Sequence, residues 1–424
     1  MNGQVQEVPF AQNYKSIIGF DFAKDNHRAV AVDSAGAVVL RWDVPHTCEG
    51  WSQLRGKLVE LVGPDLGAAA VTIETSHGAA VERLLEMGLH VYPIAPKAAE
   101  RYRDRKAPSG VKDDDRDAWS MADALRTDGH GWKRLHPDDP LTQELRLLCR
   151  DEVHLIEKRT ALINELQQAL YEYYPAALQA FDDWTSPHAW SFVERFPTPQ
   201  ELTRKGKRQW EKFLHTRKLC RPETYQRRLE IFAKALEFCG SSAVTKAKGR
   251  LAVALARQLR LLENQLQEYR VAIAALFAEH PDNGLFGSLP GAGPKIAPRL
   301  LSELGDDTNR FEDAQALQCY AGTAPVTKQS GKSRFVKVRH ACNRYLRSAV
   351  HLWTNCSRKK CVWAEAYYQK KREQGLSHAC ALRCLGQRWL KILHKMHQTG
   401  APYDEALHMR NQVRHGSWVV ALIP

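Results

Sequence analysis

The sequence predicts a multidomain α/β + α protein. An α/β domain is expected over residues 1–135, a helical coiled-coil and linker region over 136–284, a mainly helical domain over 285–405 and a tail over 406–424. Three features lead there. Short β-branched runs alternate with helical spacing in the first part of the chain. Two long stretches in the middle repeat leucine at helical intervals. From Leu285 a Gly/Pro turn and a strongly basic segment follow. At 424 residues the chain exceeds what one hydrophobic core organises.

In chain order, Ser16–Ala23 and Ala29–Val32 are apolar runs, and Asp33-Ser34-Ala35-Gly36 is a turn signal ahead of Ala37–Val44. A three-stranded meander is therefore expected. Trp51–Val62 has helical spacing. Ala68–Thr75 is a continuous β-branched run, the pattern of a strand buried on both faces. Ala79–Met87 repeats as a helix and stops at Gly88, His90–Ile94 reads as a strand, and a basic helix begins at Lys97. Meander, then alternating helix and strand, gives a mixed sheet flanked by helices. Farther on, Leu141, Leu145, Leu148, Leu155, Leu162, Leu166 and Leu170 form one seam. Leu251, Leu255, Leu259, Leu262, Leu266, Tyr269, Ile273 and Leu276 form another. Both suit the arms of a coiled-coil hairpin or a dimerisation seam; ordinary amphipathic helices are the alternative. Leu289-Pro290-Gly291-Ala292-Gly293-Pro294 leads into a helix over Lys295–Leu304 that ends at Gly305.

Lys and Arg total 61 against 48 Asp and Glu, a net charge of +13. Such an excess favours a polyanion, because each neutralised phosphate releases condensed counterions. Met1 to Tyr14 is polar, without the apolar region of a secretory signal, and no apolar run approaches a bilayer span. A cytoplasmic protein with no membrane partner is expected. The ten cysteines are scattered without a CxxC pair, which suits reduced thiols better than structural zinc.

Four carboxylates carry the chemistry. Asp21 lies in the apolar run Ile17-Ile18-Gly19-Phe20-Asp21-Phe22, and Glu74 ends Val71-Thr72-Ile73-Glu74; a charge in such surroundings needs a partner or a cation. Asp114 and Asp117 fall three residues apart, on one helical face. Carboxylates meeting from two strands and one helix would make an oxygen-rich site for Mg²⁺ or Mn²⁺, able to hold the attacking and leaving oxygens of a phosphoryl displacement. An acidic run such as Asp113–Asp117 is also what a solvated helix N-terminus looks like. A second constellation is the basic loop from Ala324 to Arg334, in which Ser330 sits beside Gly331 among Lys328, Lys332 and Arg334. A serine there can approach a phosphodiester while the cations stabilise developing charge; a plain Ser-Gly turn is the alternative. Gly291 and Gly293 precede a helix, where backbone N–H groups can meet a phosphate. Arg101, Arg103 and Arg105 alternate with Tyr102 and Asp104 ahead of the acidic helix, placed for a nucleic-acid backbone. No acidic residue occurs from Ala314 to Ala364, a stretch that includes Lys337, Arg339, Arg344 and Arg347.

Taken in order, these residues resemble the DEDD-type insertion-sequence transposases, the bridge-RNA-guided serine recombinases. Ile18-Gly19-Phe20-Asp21 is similar to that family's first strand and Ile73-Glu74 to its glutamate strand. Val91-Tyr92-Pro93-Ile94-Ala95-Pro96 is similar to the lead-in to its third motif. That motif, Lys-Thr-Asp-Arg-x-Asp-Ala, reads here Lys112-Asp113-Asp114-Asp115-Arg116-Asp117-Ala118, with departures at Asp113 and Asp115. It puts the two family aspartates on Asp114 and Asp117. The stretch with Arg159-Thr160 and Asn164 resembles the family's coiled coil. Leu289–Pro294, Phe311, Tyr320-Ala321-Gly322, Pro325, Gln329-Ser330-Gly331-Lys332 and His340–Arg347 resemble its C-terminal transposase domain.

The resemblance implies an RNase H-like (RuvC-like) N-terminal domain and a composite active site, in which the acidic tetrad of one subunit joins the serine domain of another. It implies Mg²⁺ or Mn²⁺ on Asp21, Glu74, Asp114 and Asp117, attack by Ser330 on DNA through a phosphoserine intermediate, a noncoding guide RNA, and a dimer or tetramer. A metal-dependent nuclease or junction resolvase that activates water is the alternative enzyme. A DNA-binding protein without catalysis is a third reading.

Overall fold

The computed structural model describes residues 9–106, 113–237, 239–331 and 333–418. The chain divides into two compact units, Met1–Pro137 and Asp138–Pro424. The first is built on β1 (Ser16–Asp21), β2 (Asn26–Val32), β3 (Val38–Pro45), β4 (Ala69–Ile73) and β5 (His90–Pro93). Around them lie α1 (Cys48–Val62), α2 (Ala79–Glu86), α3 (Pro96–Lys106) and α4 (Asp114–Asp128). The sheet order is β3-β2-β1-β4-β5. Strand β2 runs antiparallel to β1 and β3, whereas β1, β4 and β5 are parallel, so the sheet is mixed as the sequence suggests. Alternation along the strands divides the core. Ile18, Phe20, Ala29, Ala31, Val71 and Ile73 pack with Trp51, Leu54 and Leu58 of α1 and Val81 and Leu84 of α2. Ile17, Val32 and Ala70 pack with Ala122 and Leu125 of α4 on the other face. Strand β2 starts at Asn26, ahead of the apolar run, because His27 is also buried.

The second unit is dominated by α5 (Pro140–Tyr173) and α10 (Ser242–Glu279). Between them come α6 (Pro175–Ala180), α7 (Pro187–Arg195), α8 (Pro199–Thr216) and α9 (Pro222–Ala233). The long helices pair antiparallel within the chain: Arg159 with Glu263 and Glu152 with Arg270 near the middle, Glu172 with Lys248 at one end. One end of the pair packs with the inserted helices, through Leu166, Leu170, Leu255 and Leu259. Leu145, Cys149 and Ile273 at the other end share a core with the C-terminal helices. Residue 285, where a domain boundary is expected from sequence, therefore opens no separate core. The C-terminal elements are α11 (Asn283–Gly287), α12 (Gly293–Leu304), α13 (Ala314–Tyr320), β6 (Val326–Ser330), β7 (Ser333–Lys337), α14 (Arg344–Ser357), α15 (Val362–Glu373), α16 (His378–Thr399) and α17 (Glu405–Arg414). All ten cysteines are free thiols. Among the described residues no helix is long and apolar enough to cross a membrane.

Candidate functional site

The acidic positions gather at one end of the sheet for reasons set by register. Phe20 and Ile73 are the last pair of the parallel β1–β4 ladder, and Asp21 and Glu74 are the residues that follow them. Asp21 has the strand parity of Ile17, which packs against α4, whereas Glu74 lies just past the end of β4, in a bend. Helix α4 crosses β1 at Gly19, where an added Cβ would lie 1.7 Å from the Ala118 carbonyl oxygen. That contact sets Asp117, the preceding residue, at the same end of β1.

The four aspartates at the start of α4 have separate surroundings. Asp113 is the N-cap, its carboxylate accepting from the Asp115 backbone N–H at 3.3 Å. Asp115 turns to the sheet and accepts from Arg28 Nε and Nη2 at 3.0 and 2.7 Å, with Arg41 Nη1 at 3.4 Å. Asp114 is exposed, and Asp117 is buried. The two departures from the family motif are thus occupied in holding the helix: one caps it, the other ties it to β2 and β3.

Arg103, expected to face a nucleic-acid backbone, is turned inward. Its Nη1 donates to both oxygens of Asp117, at 3.1 and 3.0 Å. Asp117 is buried, and its hydrogen bonds to the Arg103 guanidinium, followed by its charge, raise that group above the ordinary arginine value. Tyr102 likewise bonds inward, donating to Asp128 at 2.7 Å, while Arg101 and Arg105 are exposed. Among the described residues no group of three or more His, Cys, Asp or Glu could hold a metal ion. The four candidate donors are all carboxylates, the type a hard divalent cation takes, and both oxygens of Asp117 are engaged by the Arg103 guanidinium.

A second feature was not visible in the sequence. His27 is buried beside this end of the sheet; its Nδ1 accepts from the Ala23 N–H at 3.2 Å, so Nε2 donates to His46 Nδ1 at 2.9 Å. Phe22 stacks on the ring at 5.2 Å. The segment leaving Asp21 is thereby fastened to β2.

In the second unit, the stretch read from sequence as a flexible loop is an antiparallel hairpin of β6 and β7, with Ser330 opposite Ser333. Ser330, Lys328, Arg334 and Lys337 are all exposed on it; Lys332 lies outside the described residues. Among the described residues no acid or imidazole is hydrogen-bonded to Ser330. Arg339 Nε donates to the Ala324 carbonyl at 3.2 Å across the root of the hairpin. Arg344 and Arg347 lie on the first turn of α14. The two glycines ahead of α12 differ. An added Cβ at Gly291 would meet the Ser357 backbone N at 2.6 Å, so this glycine serves contact with the end of α14, not a phosphate. Gly293 has nothing within 4 Å of that point.

Comparison with known proteins agrees along the length of the chain. A DEDD-type IS110 transposase family matches residues 18–175, and one described as Transposase IS116/IS110/IS902 family matches residues 283–369. The IS117 mini-circle protein of Streptomyces coelicolor, which carries a transposase name, is 35% identical over 392 residues, 91% of this chain and 95% of that one. An uncharacterized 43.6 kDa protein of insertion element IS110 from the same organism is 27% identical over 92% of this chain and 96% of its own. The pilin gene-inverting protein of Moraxella bovis is 26% identical over 127 residues, 29% of this chain and 39% of its own. With two family matches in chain order and a relative at 35% identity over nearly its full length, the protein belongs to the IS116/IS110/IS902 family of insertion-sequence transposases.

Proposed function

We propose that this transposase cuts and rejoins DNA through Ser330, assisted by divalent cations on Asp21, Glu74, Asp114 and Asp117. The observation that supports the reading is the parallel β1–β4 register, whose last pair, Phe20 with Ile73, directly precedes Asp21 and Glu74, with α4 crossing β1 at Gly19. The sheet order, with the second strand alone reversed, supports an RNase H-like assignment of the first unit. Carboxylate-bound Mg²⁺ or Mn²⁺ supplies the positive charge that polarises the scissile phosphate. Ser330 Oγ loses its proton to solvent and bonds to phosphorus as the bond to a sugar oxygen breaks; that oxygen takes up a proton. A hydroxyl from another strand then displaces Ser330 and restores a phosphodiester. Lys328, Arg334 and Lys337 on the exposed hairpin accompany the backbone. In this reading the acids and the serine that act on one phosphodiester come from different copies of the chain, and a noncoding RNA of the element pairs with target and donor DNA. RNase treatment of the purified complex is then expected to abolish strand exchange.

Two variants test the chemistry. Ser330→Ala is expected to abolish the covalent protein–DNA adduct while DNA binding persists, and Asp21→Asn to abolish it too. If Ser330→Ala still cleaved while Asp21→Asn did not, the enzyme would be a nuclease that activates water.

A further inference from the structure

At the root of the β6–β7 hairpin lies a cavity of about 580 Å³, bordered by Thr323 ahead of β6, Val338 just after β7, and α14. Three arginines line it: Arg344, Arg347 and Arg383. Glu157 is the single carboxylate among its lining residues. Arg347 and Arg383 form no ion pair among the described residues. Arg344 donates to Tyr345 Oη at 2.9 Å and to His154 Nε2 at 2.8 Å and also feels the Glu157 carboxylate, so one carboxylate faces three guanidinium groups round the cavity. Burial and then the neighbouring His378 and Arg383 lower the pKa of His351, another lining residue, as a positive field would. Like charges gathered round a cavity repel one another unless an anion joins them. Arginine forks also match phosphate oxygens in geometry.

We infer that this cavity is an anchoring site for a backbone phosphate of a nucleic-acid strand, held by Arg344, Arg347 and Arg383. It rests on the reading of Ser330 as the cutting residue and extends it. Val338 at the root lies five residues along β7 from Ser333, the partner of Ser330, about 17 Å at strand rise, or about five base-pair steps of a duplex. The anchored phosphate therefore lies about five steps from the one that is cut. DNA and RNA share this chemistry.

The test uses the full-length protein and two fluorescent probes, a duplex DNA and a single-stranded RNA, titrated at several salt concentrations. Arg347→Gln and Arg383→Gln are each expected to weaken binding several-fold and to reduce the salt slope by about one, while Lys57→Gln on α1, an equal change of charge, does neither. Arg347→Lys should recover most of the affinity, which separates loss of charge from misfolding. Loss with DNA alone or RNA alone assigns the strand; loss with both assigns the shared backbone. Wild-type affinity and slope in the Arg347→Gln/Arg383→Gln double variant would overturn the inference. The two readings fail separately: an adduct that survives Ser330→Ala sinks the serine chemistry, whereas undiminished binding by the double variant sinks the anchor.

Discussion

Arg103 and Asp117 form a close pair at the start of α4. The carboxylate is largely buried and both its oxygens are engaged by a single guanidinium nitrogen. A cation that binds Asp117 must displace that contact, a charge-assisted bond of about 1.5–3 kcal/mol. Arg103→Gln is therefore expected to tighten Mg²⁺ or Mn²⁺ binding about tenfold or more, measured calorimetrically without DNA; unchanged affinity would mean that Arg103 does not compete. His27 gives a prediction of a different kind. Burial, then the neighbouring His46, lowers its pKa from 6.5 to about 4. The unfolded chain thus takes up this proton first as the solution is acidified. The stabilising contribution is complete above the ordinary histidine value and is lost as pH falls towards 4, with no further loss from this group below that. The loss amounts to about 2 kcal/mol at pH 5. Denaturation at pH 7 and pH 5 should show that difference in the wild type and lose it in His27→Asn, whose side chain does not titrate.

At the level of elements, the contact between α4 and β1 is the most exacting. Gly19→Ala places a methyl group where the Ala118 carbonyl oxygen and the Ala122 nitrogen already lie, at 1.7 and 2.8 Å, so the helix must move. Overpacking of this kind costs about 1–3 kcal/mol, and a displacement of about 1 Å at Asp117 is enough for a ~100-fold loss of rate. Gly56→Ala on α1 has open space at the same test point and, as a helix-interior glycine, should raise the melting temperature slightly while leaving adduct yield unchanged. Much of this architecture was legible. The buried runs of β1 and β4 declare themselves because both faces are covered, and the leucine seams of α5 and α10 because each buries one stripe. Periodicity did not say which helices pair; that is specified by cross-contacts such as Glu152 with Arg270. The β6–β7 hairpin was illegible for a physical reason. Its strands are exposed, with Phe335 and Val336 each 62% accessible, so no buried face imposes a period-two pattern. The inward turn of Arg103 was equally hidden, since α3 and α4 meet only in the fold, and the acids proposed to bind cations look in sequence like those that cap and tether α4.

On the scale of the whole molecule, the candidate carboxylates and serine fall in different units: Asp21, Glu74, Asp114 and Asp117 belong to the first compact unit and Ser330 to the second. A proposal that the two sets meet across copies makes a strong prediction, because two dead variants should then repair each other. Asp21→Asn retains Ser330, and Ser330→Ala retains the acids. Mixed and allowed to exchange subunits, equal amounts form heterodimers in about half the dimers. Each heterodimer holds one intact composite site and one with both defects, so adduct should return to about a quarter of the wild-type level. With the two variants carrying tags of different size, the DNA must become attached to the Asp21→Asn copy alone, since the other lacks the attacking hydroxyl. If each chain completed its own site, the mixture would stay as inactive as its components. Adduct on the Asp21→Asn copy without its partner would instead show that Asp21 is dispensable, and the acidic end of the sheet would lose its assigned chemistry.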